Sequence, residues 1–219
     1  MNFSISEENY IKGIYHLQAE TGLVNTNALA KELNTKAASV TDMLKKLKTK
    51  KIIQYEKYHG FKLNESGNKI ALLIIRKHRL WEYFLVFKLG FNWDKVHAIA
   101  EELEHVSSTE LIKKLDNYLG TPKIDPHGDP IPDINGKLPV IKQINLYGLP
   151  VKSTATVSSV SNQSSQMLEM LHHYGIGIGS KITVNRVFDF DGSMEIKVSK
   201  QASCIISEQV AKNIFVYHD

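Results

Sequence analysis

All six prolines of this 219-residue chain lie between positions 122 and 150. Proline lacks a backbone N–H and is poorly tolerated inside helices and central strands, so neither element can continue through this stretch. The segment GTPKIDPHGDPIPDINGKLP shows no helical or alternating apolar period, which predicts an extended linker or a wrapped loop. The chain is therefore expected to fold as separate parts, with a boundary near residues 120–140.

The sequence pattern differs on the two sides of this stretch. Before it, apolar residues recur at helical spacing, as at Tyr10, Ile11 and Ile14, and the first part is predicted to be mainly helical. After it come β-branched runs at residues 154–160, 181–187 and 193–198. The Asp191-Gly192 pair between the last two runs predicts a hairpin. Short helices are expected at about 163–173 and 207–213. The second part is predicted to be a small β barrel.

Composition excludes several classes of protein. Hydrophobic residues make up 42% of the chain and charged residues 23%, which is close to the globular average and argues against disorder. The longest apolar run, at residues 70–75, is far shorter than the roughly 20 residues that cross a bilayer, so no membrane span is expected. The first residues do not resemble a secretory signal, and the single cysteine, Cys204, suits a reducing compartment. A cytoplasmic protein is expected.

Residues 25–63 have the pattern of a winged helix-turn-helix, which is a helix, a tight turn, a second helix and a hairpin. Residues 1–63 also carry ten Lys and Arg against six Asp and Glu, whereas the rest of the chain is balanced. A local positive excess is expected of a DNA-binding surface, although Lys-rich helix ends also occur as plain solvated faces. The candidate DNA contacts are Thr26, Lys36, Ala37, Ala38, Ser39, Thr41, Asp42, Lys45, Lys46, Lys57 and His59.

Six candidate metal ligands follow in the segments RKHRLWE and HAIAEELEH, namely His78, Glu82, His97, Glu101, Glu104 and His105. Spacings of three and four residues place the members of each segment on one helical face. Imidazole nitrogens with carboxylate oxygens suit manganese, iron, cobalt or zinc, and no thiolate is present to favour copper(I). The set is too large for one tetrahedral ion, so two neighbouring sites are expected.

Ordinary alternatives exist for each of these residues. A single histidine is more often a surface or core residue than a ligand, and helix faces rich in Glu and His are common. Six donors on two successive helices, directly after a DNA-binding pattern, nevertheless favour a metal site. Paired His and Glu sites also occur in metallohydrolases, but the sequence shows no separate general base or nucleophile set, so an enzyme is not expected.

At these residues the sequence resembles the diphtheria toxin repressor family of metal-dependent transcriptional regulators, including its manganese transport regulator branch. The resemblance extends over nearly the whole chain, through EENYIKGIYHL, TKAASVTDMLKKL, YEKYHG, RKHRLWE, HAIAEELEH, DPHGDPIP and a C-terminal SH3-like domain. It implies that His78, Glu82 and His97 form one metal site and that Glu101, Glu104 and His105 form the other. Glu101 takes a position that is cysteine in iron-sensing members, which favours the harder Mn(II), with Fe(II) as the alternative and up to two ions per subunit.

The sequence departs from this family at its first helix. The resemblance implies that Asn9 stands where a ligand is aspartate or methionine, and that Lys12 replaces a second glutamate of some manganese sensors. Asn9 still offers a carbonyl oxygen, whereas a protonated Lys12 cannot ligate. In three-domain members the SH3-like domain also donates ligands, and the weakly matching segment here contains Gln163, Gln166 and Glu169.

The predicted fold is mainly α. It comprises a winged helix-turn-helix at residues 1–64, a helical metal-binding and dimerisation domain with the Pro-rich linker at 65–140, and an SH3-like, FeoA-like β domain at 141–219. The predicted function is a homodimeric repressor that binds double-stranded operator DNA when loaded with Mn(II) or Fe(II) and controls metal-uptake genes. The alternative is a winged-helix regulator that does not respond to metal. An aromatic band around Trp81 and Trp93 is expected in the core or the dimer interface.

Overall fold

The computed structural model describes residues 3–56, 60–92, 95–106, 108–140, 142–161 and 164–217. The chain divides into two compact units, one formed by Met1–Lys123 with Ile131–Pro139 and the other by Ile124–Pro130 with Val140–Asp219. Among the described residues, none of the helices combines the length and the hydrophobicity that a bilayer-spanning segment needs.

The first unit is mainly helical. Its elements are α1 (Ile5–Thr21), α2 (Thr26–Glu32), α3 (Ala37–Thr49), β1 (Ile53–Glu56), β2 (Gly60–Leu63), α4 (Glu65–Phe87), α5 (Val96–Val106) and α6 (Thr109–Tyr118). Side chains cap most of these helices. Ser4 and Glu7 form a reciprocal capping box at α1, and Asn25 and Asn64 accept backbone N–H bonds at the starts of α2 and α4. The prediction of two helices followed by a hairpin is confirmed.

One hydrophobic core holds the winged helix-turn-helix together. The face of α3 formed by Val40, Leu44 and Leu47 is buried against Ile11 and Ile14 of α1. The hairpin joins this core through β2, where the backbone of Phe61 bonds in both directions with Val24. Gly60 is required here, because its φ is +129° and a Cβ atom would collide with the carbonyl oxygen of Val24.

Helix α4 connects this core to the second half of the unit. It has 23 residues, which corresponds to roughly 34 Å of helix. Ala71 and Ile74 near its start pack in the winged-helix core. Leu80 and Leu85 further along pack against α6 and α5 respectively. A single rigid element therefore carries residues of the winged-helix core and the histidine-rich segment.

The second unit is an antiparallel sheet with two short helices. Its elements are β3 (Ile144–Asn145), a 3-10 turn (Leu146–Gly148), β4 (Thr154–Val160), α7 (Ser165–His173), β5 (Lys181–Val187), β6 (Met194–Val198), β7 (Ser203–Ile206), α8 (Glu208–Asn213) and β8 (Ile214–Tyr217). The strand order is β3-β8-β4-β5-β6-β7, and β-bulges in β4 and β5 bend the sheet around one apolar core. The predicted hairpin forms between β5 and β6, and the predicted fold class is confirmed.

The proline-rich stretch is divided between the two units. Residues 124–130 belong to the second unit, where Asp125 caps a turn by accepting N–H bonds from His127 and Asp129, both 2.9 Å long. Residues 131–139 belong to the first unit, where Arg76 of α4 donates to the carbonyl oxygen of Pro132. The stretch thus contains a capped turn at residues 125–129 and is bonded to α4 at Pro132.

Candidate metal centre and DNA-contacting surface

Two helices of the first unit bring the six predicted metal ligands together. His78 and Glu82 are one turn apart on α4, and the other four residues lie on α5. The two helices pack through Leu85 of α4 and through Val96 and Ala100 of α5. Because of this apolar packing, the His and Glu side chains of α5 face those of α4. The apolar contact therefore positions the donor cluster beside it.

His78 is the centre of the first group of donors. Its Nε2 atom lies 3.0 Å from Glu82 Oε1 and 3.1 Å from His97 Nδ1, and His97 Nδ1 lies 3.2 Å from the same Glu82 oxygen. On the other side of the ring, His78 Nδ1 lies 2.7 Å from Glu104 Oε2. Atoms of His78, His97 and Glu101 also fall within 4.8 Å of one another.

Burial and charge make this group electrostatically unusual. His78 and Glu82 are buried, whereas the side chain of His97 is 72% exposed and opens the group to solvent. Burial lowers the pKa of His78, but hydrogen bonds and charge from Glu104 and Glu82 outweigh it and raise the pKa to about 9. Burial likewise raises the pKa of Glu104, yet hydrogen bonds with His78 and Lys12 bring that pKa below its ordinary value.

The second group of donors contains a lysine. Atoms of Glu101, Glu104 and His105 fall within 4.8 Å of one another. Lys12 of α1 donates to both carboxylates, at 2.8 Å to Glu101 Oε1 and 2.7 Å to Glu104 Oε1. His105 Nε2 lies 3.3 Å from the same Glu104 oxygen. A side-chain ammonium therefore lies among the atoms predicted to hold the second ion.

Glu8, which sequence reasoning missed, completes the contacts between α1 and α5. Its Oε2 atom lies 2.6 Å from His105 Nδ1, and its Oε1 atom lies 3.5 Å from Lys77 Nζ. Carboxylates that hold one nitrogen of a histidine orient the other nitrogen, as is common around metal sites. The sequence carried no local signal for this contact, because Glu8 and His105 are 97 positions apart.

The residues present fit a divalent cation at the first group. The imidazoles of His78 and His97 converge with the carboxylate of Glu101, and Glu82 contacts both imidazoles; such nitrogen and oxygen donors suit Mn(II), Fe(II), Co(II) or Zn(II). Separately, on α1, the buried Oδ1 atom of Asn9 has no hydrogen-bond partner in the part of the chain that the structure describes. An oxygen in this state is available to a ligand.

The remaining predicted ligands belong to the second unit or to the residues that are not described. Gln166 and Glu169 are exposed residues of α7 in the second unit, and Gln163 lies outside the described residues. Neither group of converging donors contains Glu169. Participation of the second unit in metal binding stays a prediction.

Eight of the eleven predicted DNA contacts lie on α3 or at its N-cap Lys36, and we call the surface that they form the α3 face. Its members are exposed and comprise Lys36, Ala37, Ala38, Ser39, Thr41, Asp42, Lys45 and Lys46. Lys45 and Asp42 pair at 3.0 Å, and Thr26 is partly buried on α2. Lys57 and His59 lie outside the described residues. Small side chains at the start of α3 leave its backbone accessible, which is what close approach to base edges requires.

Helix α1 contacts both the donor cluster and α3. Glu8 and Lys12 contact α5 as described above. On the other side, Ile11 and Ile14 pack in the core with α3, and Glu7 accepts a 2.8 Å bond from Lys50 at the end of α3. A change in the donor cluster can therefore reach the α3 face through one helix.

The aromatic residues predicted for the core or the dimer interface differ in burial: some pack in a core and others are exposed. Trp81, Tyr83 and Phe84 pack on the small core that Leu80 forms with α6. Phe87 and Phe91 are 46% and 42% exposed, and Trp93 lies outside the described residues. Exposed apolar side chains of this kind are typical of interaction surfaces.

Three family models match the chain in order. Residues 2–61 match the N-terminal DNA-binding domain of iron-dependent repressors, residues 64–133 match the metal-binding and dimerisation domain of iron-dependent repressors, and residues 144–218 match the FeoA domain.

Individual relatives agree with these models. The chain is 34% identical over 120 residues to the HTH-type transcriptional regulator MntR of Oceanobacillus iheyensis, which covers 55% of this chain and 81% of that protein. It is 31% identical over 127 residues to the iron-dependent repressor IdeR of Mycobacterium tuberculosis, covering 58% of this chain but only 55% of that protein. A solved manganese-dependent transcriptional repressor in complex with manganese is 31% identical, with a TM-score of 0.65 over 97% of this chain and 99% of that one.

Proposed function

Because the chain belongs to the iron-dependent repressor family, we propose that it represses transcription by binding operator DNA as a homodimer when loaded with Mn(II) or Fe(II). In this proposal residues 1–64 bind DNA, residues 65–140 bind the ion and dimerise, and residues 141–219 form an accessory β domain. The protein acts on chromosomal DNA in the cytoplasm, is not an enzyme, and controls genes for uptake of the ion that it senses.

The observation that carries the proposal is the donor cluster between α4 and α5 together with its connection to the α3 face. His78, Glu82 and His97 would hold the ion. A bound divalent cation supplies positive charge to a group of carboxylates and imidazoles, of which His78, Glu82 and Glu104 are buried. The chain itself supplies the rest, since α4 extends from the cluster into the winged-helix core and α1 contacts both α5 and α3.

Dimerisation is needed because one α3 face covers only one half-site. Two helix-turn-helix units bind successive major grooves when their recognition helices are about 34 Å apart. The exposed side chains of Phe87 and Phe91, together with Tyr118 on α6, offer an apolar surface in the predicted dimerisation domain. An ion that shifts the arrangement of α4 and α5 would change the spacing of the two α3 faces in such a dimer.

The experiment selects DNA and then removes the ion. Duplexes are selected from a random pool by the purified protein with Mn(II), and binding of the selected duplex is measured at fixed salt with Mn(II) and with chelator. We expect at least about fivefold tighter binding with the ion, since allosteric coupling is typically about 1–3 kcal/mol. Equal affinity for DNA in both conditions would contradict the proposal and favour a winged-helix regulator that does not respond to metal.

A matched pair of variants separates the ion from the fold. Glu82→Gln removes a buried ligand charge, and we expect it to abolish the effect of Mn(II) on DNA binding. Glu102→Gln removes an exposed charge from α5 outside the cluster and is expected to behave as the wild type. If both variants keep the full response to Mn(II), the cluster is not the sensor.

A further inference from the structure

The ammonium group of Lys12 is bound between two carboxylates of the second donor group. Lys12 Nζ lies 2.8 Å from Glu101 Oε1 and 2.7 Å from Glu104 Oε1, and the side chain of Glu104 is fully buried. The lysine side chain itself is only 14% exposed. These are the distances of charge-assisted hydrogen bonds, so the ammonium group binds both carboxylates specifically.

The same carboxylates are the donors on which a second ion would depend. With His105 they form one of the two groups of converging donor atoms among the described residues. Lys12 bonds to the Oε1 atom of each carboxylate, and His105 Nε2 also lies closest to Glu104 Oε1. A divalent ion at these oxygens would have to displace the ammonium or lie directly against a like charge, which is unfavourable.

Among the described contacts, Lys12 reaches the first donor group at Glu101. His78, Glu82 and His97 contact one another through atoms that Lys12 does not touch in any described contact. The two groups meet at Glu101, whose Oε1 atom bonds to Lys12 and whose Oε2 atom lies 3.7 Å from His97 Nε2. One carboxylate can therefore serve the ammonium and an ion at the same time.

We propose that the side chain of Lys12 occupies the second site, so that the chain binds one divalent ion, at His78, Glu82 and His97 with Glu101 beside them, instead of two. The inference rests on the proposed function, because it concerns how many ions this sensor takes. Its consequence is that the connection between α1 and α5 through Lys12 exists without metal. Regulation by the ion then arises at the contact between α4 and α5.

The experiment counts ions bound to the full chain. Wild type, Lys12→Glu, Lys12→Gln and the control Lys114→Glu are dialysed against excess Mn(II), and bound manganese is measured by elemental analysis. Lys114 is 73% exposed on α6, so its replacement makes the same charge change away from the cluster. We expect one ion in wild type and in Lys114→Glu, two in Lys12→Glu, and a second, weaker ion in Lys12→Gln. Electron paramagnetic resonance should show isolated Mn(II) in wild type and a coupled pair in Lys12→Glu, because paired ions lie roughly 3.5–4 Å apart.

Each result decides the question. Two ions in wild type, or one ion in both Lys12 variants, would overturn the role of Lys12 and leave the proposed function intact. No ion in wild type would overturn the proposed function and this inference with it. If Lys12→Glu does not fold without metal, as circular dichroism would show, the count for Lys12→Gln provides the comparison with wild type.

Discussion

His78 on α4 and Glu104 on α5 are joined by a 2.7 Å hydrogen bond between Nδ1 and Oε2, and both side chains are buried. With Glu82 on its other nitrogen, the ring of His78 lies between two carboxylates, and its pKa is raised to about 9. At neutral pH the metal-free protein therefore holds a proton at the position where we propose an ion to bind. Binding of the metal ion therefore displaces this proton from His78.

This exchange predicts that the affinity for Mn(II) rises with pH. Only the neutral imidazole ligates, so below the pKa of about 9 each ion must displace a proton from His78. From this group alone, affinity should fall about tenfold for each pH unit between 9 and 7 and should level off above 9. Isothermal titration in buffers of different ionisation enthalpy should show about one proton released per ion at pH 7. Binding at pH 7 without proton release would contradict the assignment of His78 as a ligand.

Arg76 is expected to contribute strongly to the stability of the first unit. It forms a 2.6 Å ion pair with Asp116 of α6 and donates to Pro132 O at 2.7 Å, and the side chains of the pair are 8% and 16% exposed. Removing one partner of a buried pair typically costs about 3–5 kcal/mol, so Arg76→Ala should lower the free energy of unfolding by about 3 kcal/mol. Urea unfolding followed by circular dichroism measures this change.

The control for Arg76 is an exposed ion pair. Lys45 and Asp42 pair on α3 with side chains 72% and 71% exposed, and Asp42→Ala should change stability by less than about 1 kcal/mol. If Arg76→Ala is as stable as Asp42→Ala, the contacts of Arg76 with Asp116 and Pro132 contribute little to the stability of the fold.

Sequence patterns predicted the elements of this fold well where periodicity was long. Helix α3, the wing and the β5–β6 hairpin follow directly from apolar spacing and a Gly turn. Strand β3 was missed because its two residues are too few to show an alternation, and β8 was missed because its sequence IFVY is a short apolar run without alternation. Their pairing depends on neighbours distant in sequence.

Spacing also predicted which residues of α4 and α5 share a face, but it gave no information on which residues of α1 lie opposite. The contacts of Lys12 with Glu104, and of Glu8 with His105, span 92 and 97 positions. Such contacts arise from the packing of α1 beside α4, which no local pattern encodes. The resemblance to known regulators identified Lys12 as a departure, and only the fold shows the carboxylates that it binds.

Lys46 is expected to contribute to DNA affinity without contributing to sequence preference. It is exposed near the end of α3, where a lysine reaches phosphates more easily than base edges. Lys46→Gln should weaken binding to selected and unrelated duplexes by a similar factor, and should reduce the slope of log affinity against log salt by about 1. Fluorescence anisotropy across a salt series measures both quantities. Lys114→Gln is the matched control on α6, and an equal effect of both variants would remove the α3 face from the DNA interface.

Glu101 is expected to set the preference between hard and soft ions, because it is the carboxylate that the two donor groups share. A thiolate at this position favours soft ions, whereas the present oxygen donors favour Mn(II). We therefore expect Glu101→Cys to raise the ratio of Cd(II) to Mn(II) affinity by at least about tenfold, measured by competition with a chromophoric chelator. Glu102→Cys places a thiol one position further along α5 on its exposed side and should leave the ratio unchanged. If both cysteine variants raise the ratio of Cd(II) to Mn(II) affinity equally, the effect of the thiol does not depend on its position, and Glu101 does not determine ion preference.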